Sequence, residues 1–278
     1  GKEWQPGPIA KRLLEESMLA GRTQRVSLER KAKIALVTLI DNIVLDEAEK
    51  GIFAGLMESG LQPGTHFDLR KYSANGEIGS LPQIIEAAIN ERPDLLITLT
   101  TPAFIAAVQR VKDIPLVFSV ASKPERLGLF AQGRPDNVCG YYDDPPLDEL
   151  LAMAKRHNPS LQRVGIVYDP AQVNARISAE KLREAGRIQR IQVVEANAST
   201  VSELDAATRS LTQRGAQAIL LSADNLVYTG FNLVYRIANQ AGVPIFATEV
   251  DLINKGATGV IGNSFFDWGK ASGILAAQ

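Results

Sequence analysis

The sequence predicts an α/β protein made of two similar open parallel-sheet lobes in tandem. Three observations carry this. From Lys33 onward, short apolar, β-branched runs alternate with amphipathic helical stretches, the pattern of strands joined by crossover helices. Strand starts fall near residues 34, 67, 95 and 116, and again near 164, 192, 218 and 245, so one cadence runs twice. The halves also echo each other: DIPLVFSV (residues 113–120) and GVPIFATE (residues 242–249) share a small apolar residue, a proline and a buried run. Eight strands in repeated order suit two lobes better than one long doubly wound sheet.

The elements follow in order. Residues 1–32 differ from the rest: WQPGP is turn-like and IAKRLLEESML has helical apolar spacing, so this segment reads as a linker or N-terminal helix outside the main fold. The first lobe takes its strands from KIALVTL, FDLRKYS, LLITL and PLVFSV, with LDEAEKGIFAGLMESG and SLPQIIEAAINER among its helices. TLTTPAF (residues 98–104) joins a strand to a helix: Thr101 is expected to cap a helix that starts at Pro102, where the missing N–H costs nothing. The second lobe takes RVGIVYD, QVVEA, AILLSA and PIFATE, with LDELLAMAKRHN, ISAEKLREAG, SELDAATRSLTQRG and YRIANQAG as helices. Residues 137–142 read as a strand leaving the first lobe. Residues 258–262 read as a strand crossing back, followed by a last helix packed on the first lobe. The lobes are therefore expected at 33–140 plus 261–278 and at 141–260, with a hinge at the crossings and a ligand cleft there.

Composition narrows the function. Of 278 residues, 45% are hydrophobic, enough for ordinary cores, and the formal net charge is −1, which argues against binding nucleic acid by phosphate neutralisation. The single cysteine, Cys139, excludes an internal disulfide, and two distant histidines, His66 and His157, argue against a zinc site. No apolar run reaches the length of a membrane span. The chain opens on Gly and stops inside a helical pattern, which suggests a mature or excised piece. There is no phosphate loop, no dinucleotide fingerprint after the first strand and no nucleophile elbow, so no motif supports an enzyme, a metal or a cofactor.

What remains is a set of polar loops at strand carboxyl ends, where open α/β sheets bind ligands. They span residues 38–42, 100–101, 119–122, 169–174, 224–225 and 248–249. Hydroxyls and helix N-termini suit a ligand carboxylate, and Asp224 and Glu249 suit a ligand ammonium. Together they describe a zwitterion such as an amino acid. The bland alternative is that many of these residues only cap helices. Tyr141, Tyr142, Tyr228, Phe265, Phe266 and Trp268 lie near the crossings and could stack on a flat ligand or fill the core of the last helix.

LDEAEKGIFAGLMESGL, ITLTTPAFIAAV, DIPLVFSVASKP, DNVCGYYDDPPLDELL, RVGIVYDPAQVNA, SADNLV, AGVPIFATEVDLINKGA and NSFFDWGKASG, in this order, resemble the ABC-transporter substrate-binding proteins of the tryptophan/tyrosine-binding type. The resemblance implies a type I periplasmic-binding fold: two Rossmann-like lobes joined by a hinge that close on a small molecule. It implies delivery to an ABC transporter permease, and a periplasmic or other extracytoplasmic location, with or without a membrane tether. The candidate ligand residues are Asp41, Asn42, Thr100, Thr101, Ser119, Ser122, Tyr141, Asp143, Asn174, Asp224, Asn225, Glu249 and Asn263. Thr100, Thr101 and the region of Asn174 would grip the carboxylate, and Asp224 and Glu249 the amine. Asp41-Asn42-Ile43 stands where the family commonly has Glu-His-Pro, Lys123 where Asp often precedes Pro, Glu249 for a usual Asp and Ser264 for a usual acid. The ligand therefore need not be tryptophan or tyrosine. The alternative function is a ligand-sensing module of a larger regulatory protein with the same fold.

Overall fold

The structure, a computed structural model, describes residues 30–131 and 133–278. The expected N-terminal helix or linker lies, for residues 1–29, outside the described residues. The chain forms two compact units: one holds the residues up to Asp143 together with Asn263–Gln278, and the other is Asp144–Gly262.

The first unit is built on a five-stranded sheet in the order β2-β1-β3-β4-β5. Its strands are β1 (Ala32–Thr38), β2 (Phe67–Ser73), β3 (Leu95–Leu99), β4 (Leu116–Ser122) and β5 (Val138–Asp143), and all neighbours pair parallel. Its helices are α1 (Ile43–Glu58), α2 (Leu81–Asn90), α3 (Thr101–Arg110) and, from the end of the chain, α9 (Phe265–Ala276). Central strands of a parallel sheet are covered on both faces and read as unbroken apolar runs. Accordingly β4 is buried along its whole length, whereas edge strand β2 buries only Phe67. The core gathers Val37, Leu96, Phe104 and Phe118, with the Phe104 and Phe118 rings stacked at 4.2 Å.

The second unit repeats the plan in the order β10-β9-β8-β6-β7. Its strands are β6 (Arg163–Tyr168), β7 (Gln192–Asn197), β8 (Ile219–Leu221), β9 (Ile245–Glu249) and β10 (Gly259–Asn263), whose last residue belongs to the first unit. Its helices are α4 (Leu147–His157), α5 (Val173–Gln189), α6 (Glu203–Gln213), α7 (Asn225–Thr229) and α8 (Phe231–Gln240). The core centres on Leu150, Leu151, Ile166, Leu182, Leu220 and Phe246. No helix among the described residues is long and apolar enough to cross a membrane.

Helices α1 and α9 meet through glycines on both sides. A Cβ on Gly51 or Gly55 would lie 2.1 or 2.2 Å from the carbonyl oxygens of Phe266 or Lys270. A Cβ on Gly269 or Gly273 would lie 1.9 or 2.2 Å from those of Ala48 or Ile52. The four-residue spacing places each pair on one helix face, so the backbones touch without side chains between them. α9 is also tied to the sheet, where the Ser272 hydroxyl donates to Ser119 Oγ at 2.8 Å.

One local expectation is corrected. The helix after β3 begins at Thr101, one residue early, and Thr100 holds the N-cap position without a side-chain cap bond. The Thr101 hydroxyl is engaged elsewhere, and Thr100 sits at φ 75°, ψ 161°, which turns it away from capping geometry.

Candidate functional site

In each sheet the strand order reverses beside the first strand of the unit: between β1 and β3 in the first and between β6 and β8 in the second. Ligands of open α/β sheets bind outside the carboxyl ends at such a switch point. The residues following β1, β3, β6 and β8 are Leu39–Asn42, Thr100–Thr101, Asp169–Asn174 and Ser222–Asn225, nearly the same polar loops picked from sequence.

At the edge of the first unit, Asn42 accepts the Val44 and Leu45 N–H groups at 3.1 and 2.9 Å and so caps α1. Asp41 lies 2.8 Å from the Lys71 ammonium, which also meets Glu49 at 2.6 Å. Thr101 Oγ1 accepts the Ser122 N–H at 2.9 Å and lies 3.3 Å from Ser122 Oγ, joining the ends of β3 and β4. Ser119 is fully buried against Ser272. Tyr141 leans on Trp268 with ring centroids 6.2 Å apart, inside the unit. Asp143 and Asn263 are the last residues of β5 and β10, both half-buried.

Thr100 stands apart. A β-branched residue at positive φ is costly, of order 1–3 kcal/mol. Its hydroxyl is buried and has no hydrogen-bond partner. Val120, another β-branched residue on the adjoining strand, sits at φ 52° where the β4–β5 register slips. Two strained positions therefore adjoin the N-terminus of α3, where free N–H groups and the helix dipole favour an anion.

At the edge of the second unit, Asp224 caps α7. Its Oδ1 accepts the Leu226 and Val227 N–H groups at 2.8 and 3.0 Å, and its Oδ2 accepts the Asp169 N–H at 2.7 Å. Gln172 knits the loop together. Its Nε2 donates to Asp169 Oδ2 at 3.0 Å and lies 3.4 Å from Asp224 Oδ1, and its Oε1 accepts from the Asn225 amide at 2.6 Å. Burial, with the Asp169 carboxylate alongside, pushes Asp224 up to about 7 against the three N–H groups that favour its charge. Glu249 is fully buried, and its Oε1 accepts the Asp251 N–H at 3.1 Å. Asn174 donates through Nδ2 to the Ala223 carbonyl at 2.7 Å, while its Oδ1 is buried without a hydrogen-bond partner. The free atom of Asn174 is thus an acceptor, which does not fit the expected grip on a carboxylate.

Sequence reasoning did not single out Gln172, although it is almost fully buried. Asp169 is three residues away, but its partners Asp224 and Asn225 lie 52 and 53 residues away, and no local pattern announces them. Among the described residues no group of three or more His, Cys, Asp or Glu side chains could hold a metal ion.

A family model described as ABC transporter substrate binding protein matches residues 33–278. Among curated proteins, the chain is 26% identical over 264 residues to the tyrosine-binding protein of Clostridioides difficile (strain R20291), covering 94% of this chain and 76% of that one. Among solved structures, a conserved domain protein from Vibrio cholerae superposes with a TM-score of 0.82 at 27% identity, covering 89% of this chain and 83% of that one. The ABC domain in complex with L-Trp from Streptococcus pneumonia superposes at 0.81 and 20% identity, covering 88% and 83%, a likeness of fold. The match favours the substrate-binding reading over a sensing module. With two parallel five-stranded sheets flanked by helices, and with the family model spanning nearly all of it, the chain belongs to the ABC transporter substrate-binding protein family.

Proposed function

We propose that this chain is the extracytoplasmic solute-binding component of an ABC transporter. It takes up a small amino-acid-like carboxylate, aromatic or branched, and hands it to a permease without chemical change. It works in the periplasm or tethered at the outer face of the membrane. The observation that carries the reading is Thr100: a strained backbone at a helix N-terminus, with a buried hydroxyl that has no hydrogen-bond partner in the chain. Strain of this kind persists where function holds it, and a hydroxyl beside free N–H groups is a carboxylate site. The name of the tyrosine-binding relative and the L-Trp complex of the structural neighbour support an amino acid as the ligand.

A thermal-shift screen against the twenty amino acids and their carboxylate analogues tests the reading. A ligand at one hundred times its Kd adds about 2.7 kcal/mol to the folded state. Thr100→Gly is the informative variant. Glycine accepts φ 75° without strain, at a small entropic cost in the unfolded chain. Its expected stability without ligand is therefore at or above that of the wild type, by up to about 1 kcal/mol, while its ligand-induced shift in Tm shrinks or disappears. A variant that keeps the full ligand shift sinks the assignment of Thr100.

A further inference from the structure

We infer that the amide oxygen of Asn174, not the Asp224 carboxylate, receives the ligand's nitrogen, and that this nitrogen is a protonated amine. The inference rests on the binding reading above and concerns residues of the second unit alone.

Asn174 is the second residue of α5, directly after the β6 turn. Its Nδ2 is spent on the Ala223 carbonyl at the end of β8, which fixes the amide orientation. That leaves Oδ1, which can only accept, buried and without a hydrogen-bond partner in the chain. A buried acceptor left unmade is unfavourable, and a donor brought by a ligand removes the penalty. A carboxylate oxygen brought to the same place would meet a second acceptor and no proton.

Asp224 is differently placed. Each of its oxygens already accepts a backbone N–H, and one of them also lies near Gln172. Its work is to cap α7 and to hold Asp169 in position. The charge around the edge selects the kind of donor. Residues 169–174, 222–225 and 248–249 include the acids Asp169 and Glu249 besides the helix-capping Asp224, and no Lys or Arg. The nearby Arg176 is exposed and bonded to the Pro170 carbonyl. An acceptor within an acidic edge prefers a cation, and the ammonium is the positively charged donor that every free amino acid carries.

Isothermal titration of wild type and Asn174→Leu with the twenty amino acids, each beside its desamino acid, tests this. The wild type should bind its amino acid roughly tenfold or more tighter than the desamino acid, the loss expected when a buried acceptor stays unpaired. Asn174→Leu should erase most of that ratio by weakening the amino acid while leaving the desamino acid within about twofold. Asp224→Asn should keep the ratio. If Asn174→Leu weakens both ligands alike or neither, the assignment of Asn174 is overturned while the binding reading stands. Should the leucine variant not fold, a wild type that binds the desamino acid as tightly as the amino acid overturns the inference by itself. A wild type that binds no member of the panel overturns the binding reading, and this inference with it.

Discussion

Gly269→Ala is expected to destabilise the first unit by about 3 kcal/mol or more, although alanine is the better helix former. On propensity alone the change should stabilise an interior helical position by about 1 kcal/mol. The added Cβ, however, would lie 1.9 Å from the Ala48 carbonyl oxygen and 2.7 Å from its carbon. Real Cβ atoms do not approach backbone so closely, and the obstacle is not the movable end of a side chain. α9 would have to move off α1, opening the reciprocal contacts of Gly51, Gly55 and Gly273 at once. Overpacking of a fitted core costs about 1–3 kcal/mol where side chains can adjust, and more where only backbone can. Gly79→Ala is the control, since a Cβ there meets nothing within 4 Å, and it should stay within about 0.5 kcal/mol of wild type. Urea unfolding followed by Trp268 fluorescence, in a Trp4→Phe background, reads the first unit through a buried side chain next to the altered glycine. Equal midpoints for Gly269→Ala and wild type would show that the close approach contributes nothing.

Asp224→Ala is expected to cost the second unit a similar amount, about 3 kcal/mol. Loss of a good N-cap alone removes about 1 kcal/mol. Here the carboxyl group also accepts the Asp169 N–H, so backbone donors at two places in the loop lose their acceptor, while Gln172 loses a neighbour and keeps Asp169. Each donor left buried and unpaired adds about 1–3 kcal/mol, less wherever water enters. The pH dependence has a definite sign. Burial pushes Asp224 up to about 7 in the folded chain, from an ordinary carboxylate value of 3.8. The folded state therefore holds a proton that the unfolded state has released across this range. Stability from this group is full below about pH 4 and is lost as pH rises toward 7, by at most about 1.4 kcal/mol per unit. Asp224→Asn does not titrate, so wild type should lose stability relative to it between pH 5 and 7. A wild type that gains on the variant over that interval would show that the N–H groups outweigh burial and hold the carboxylate ionised.

Much of the fold was legible because burial imposes periodicity. Short apolar runs such as LLITL and PLVFSV, rich in β-branched and aromatic residues, suit covered strands, and observed β3 and β4 lie on them within two residues. The polar loops at strand ends were legible for the same reason, since Asp and Asn in such places stand out. Their jobs were not. Asn42 and Asp224 carry the same signal whether they cap a helix or meet a ligand, and the structure shows both capping. Thr100 was read with Thr101 as a grip on a carboxylate, and its positive φ was not visible, because a backbone dihedral leaves no mark in the letters. The G-x-x-x-G spacings of Gly51/Gly55 and Gly269/Gly273 were visible, but their pairing across more than two hundred residues was not.

That pairing orders events during synthesis. The first unit lacks a helix until α9 emerges, and the whole of Asp144–Gly262 is made in between. At roughly 5–20 residues per second, the ribosome takes about ten seconds to make that insert. Throughout that interval the α1 face bearing Gly51 and Gly55, buried in the finished protein, lacks its natural cover. The inserted unit has its own sheet and core and can fold while the earlier one waits. The unit begun before the other is thus completed after it, and its exposed helix face is the surface a chaperone would meet on the nascent chain.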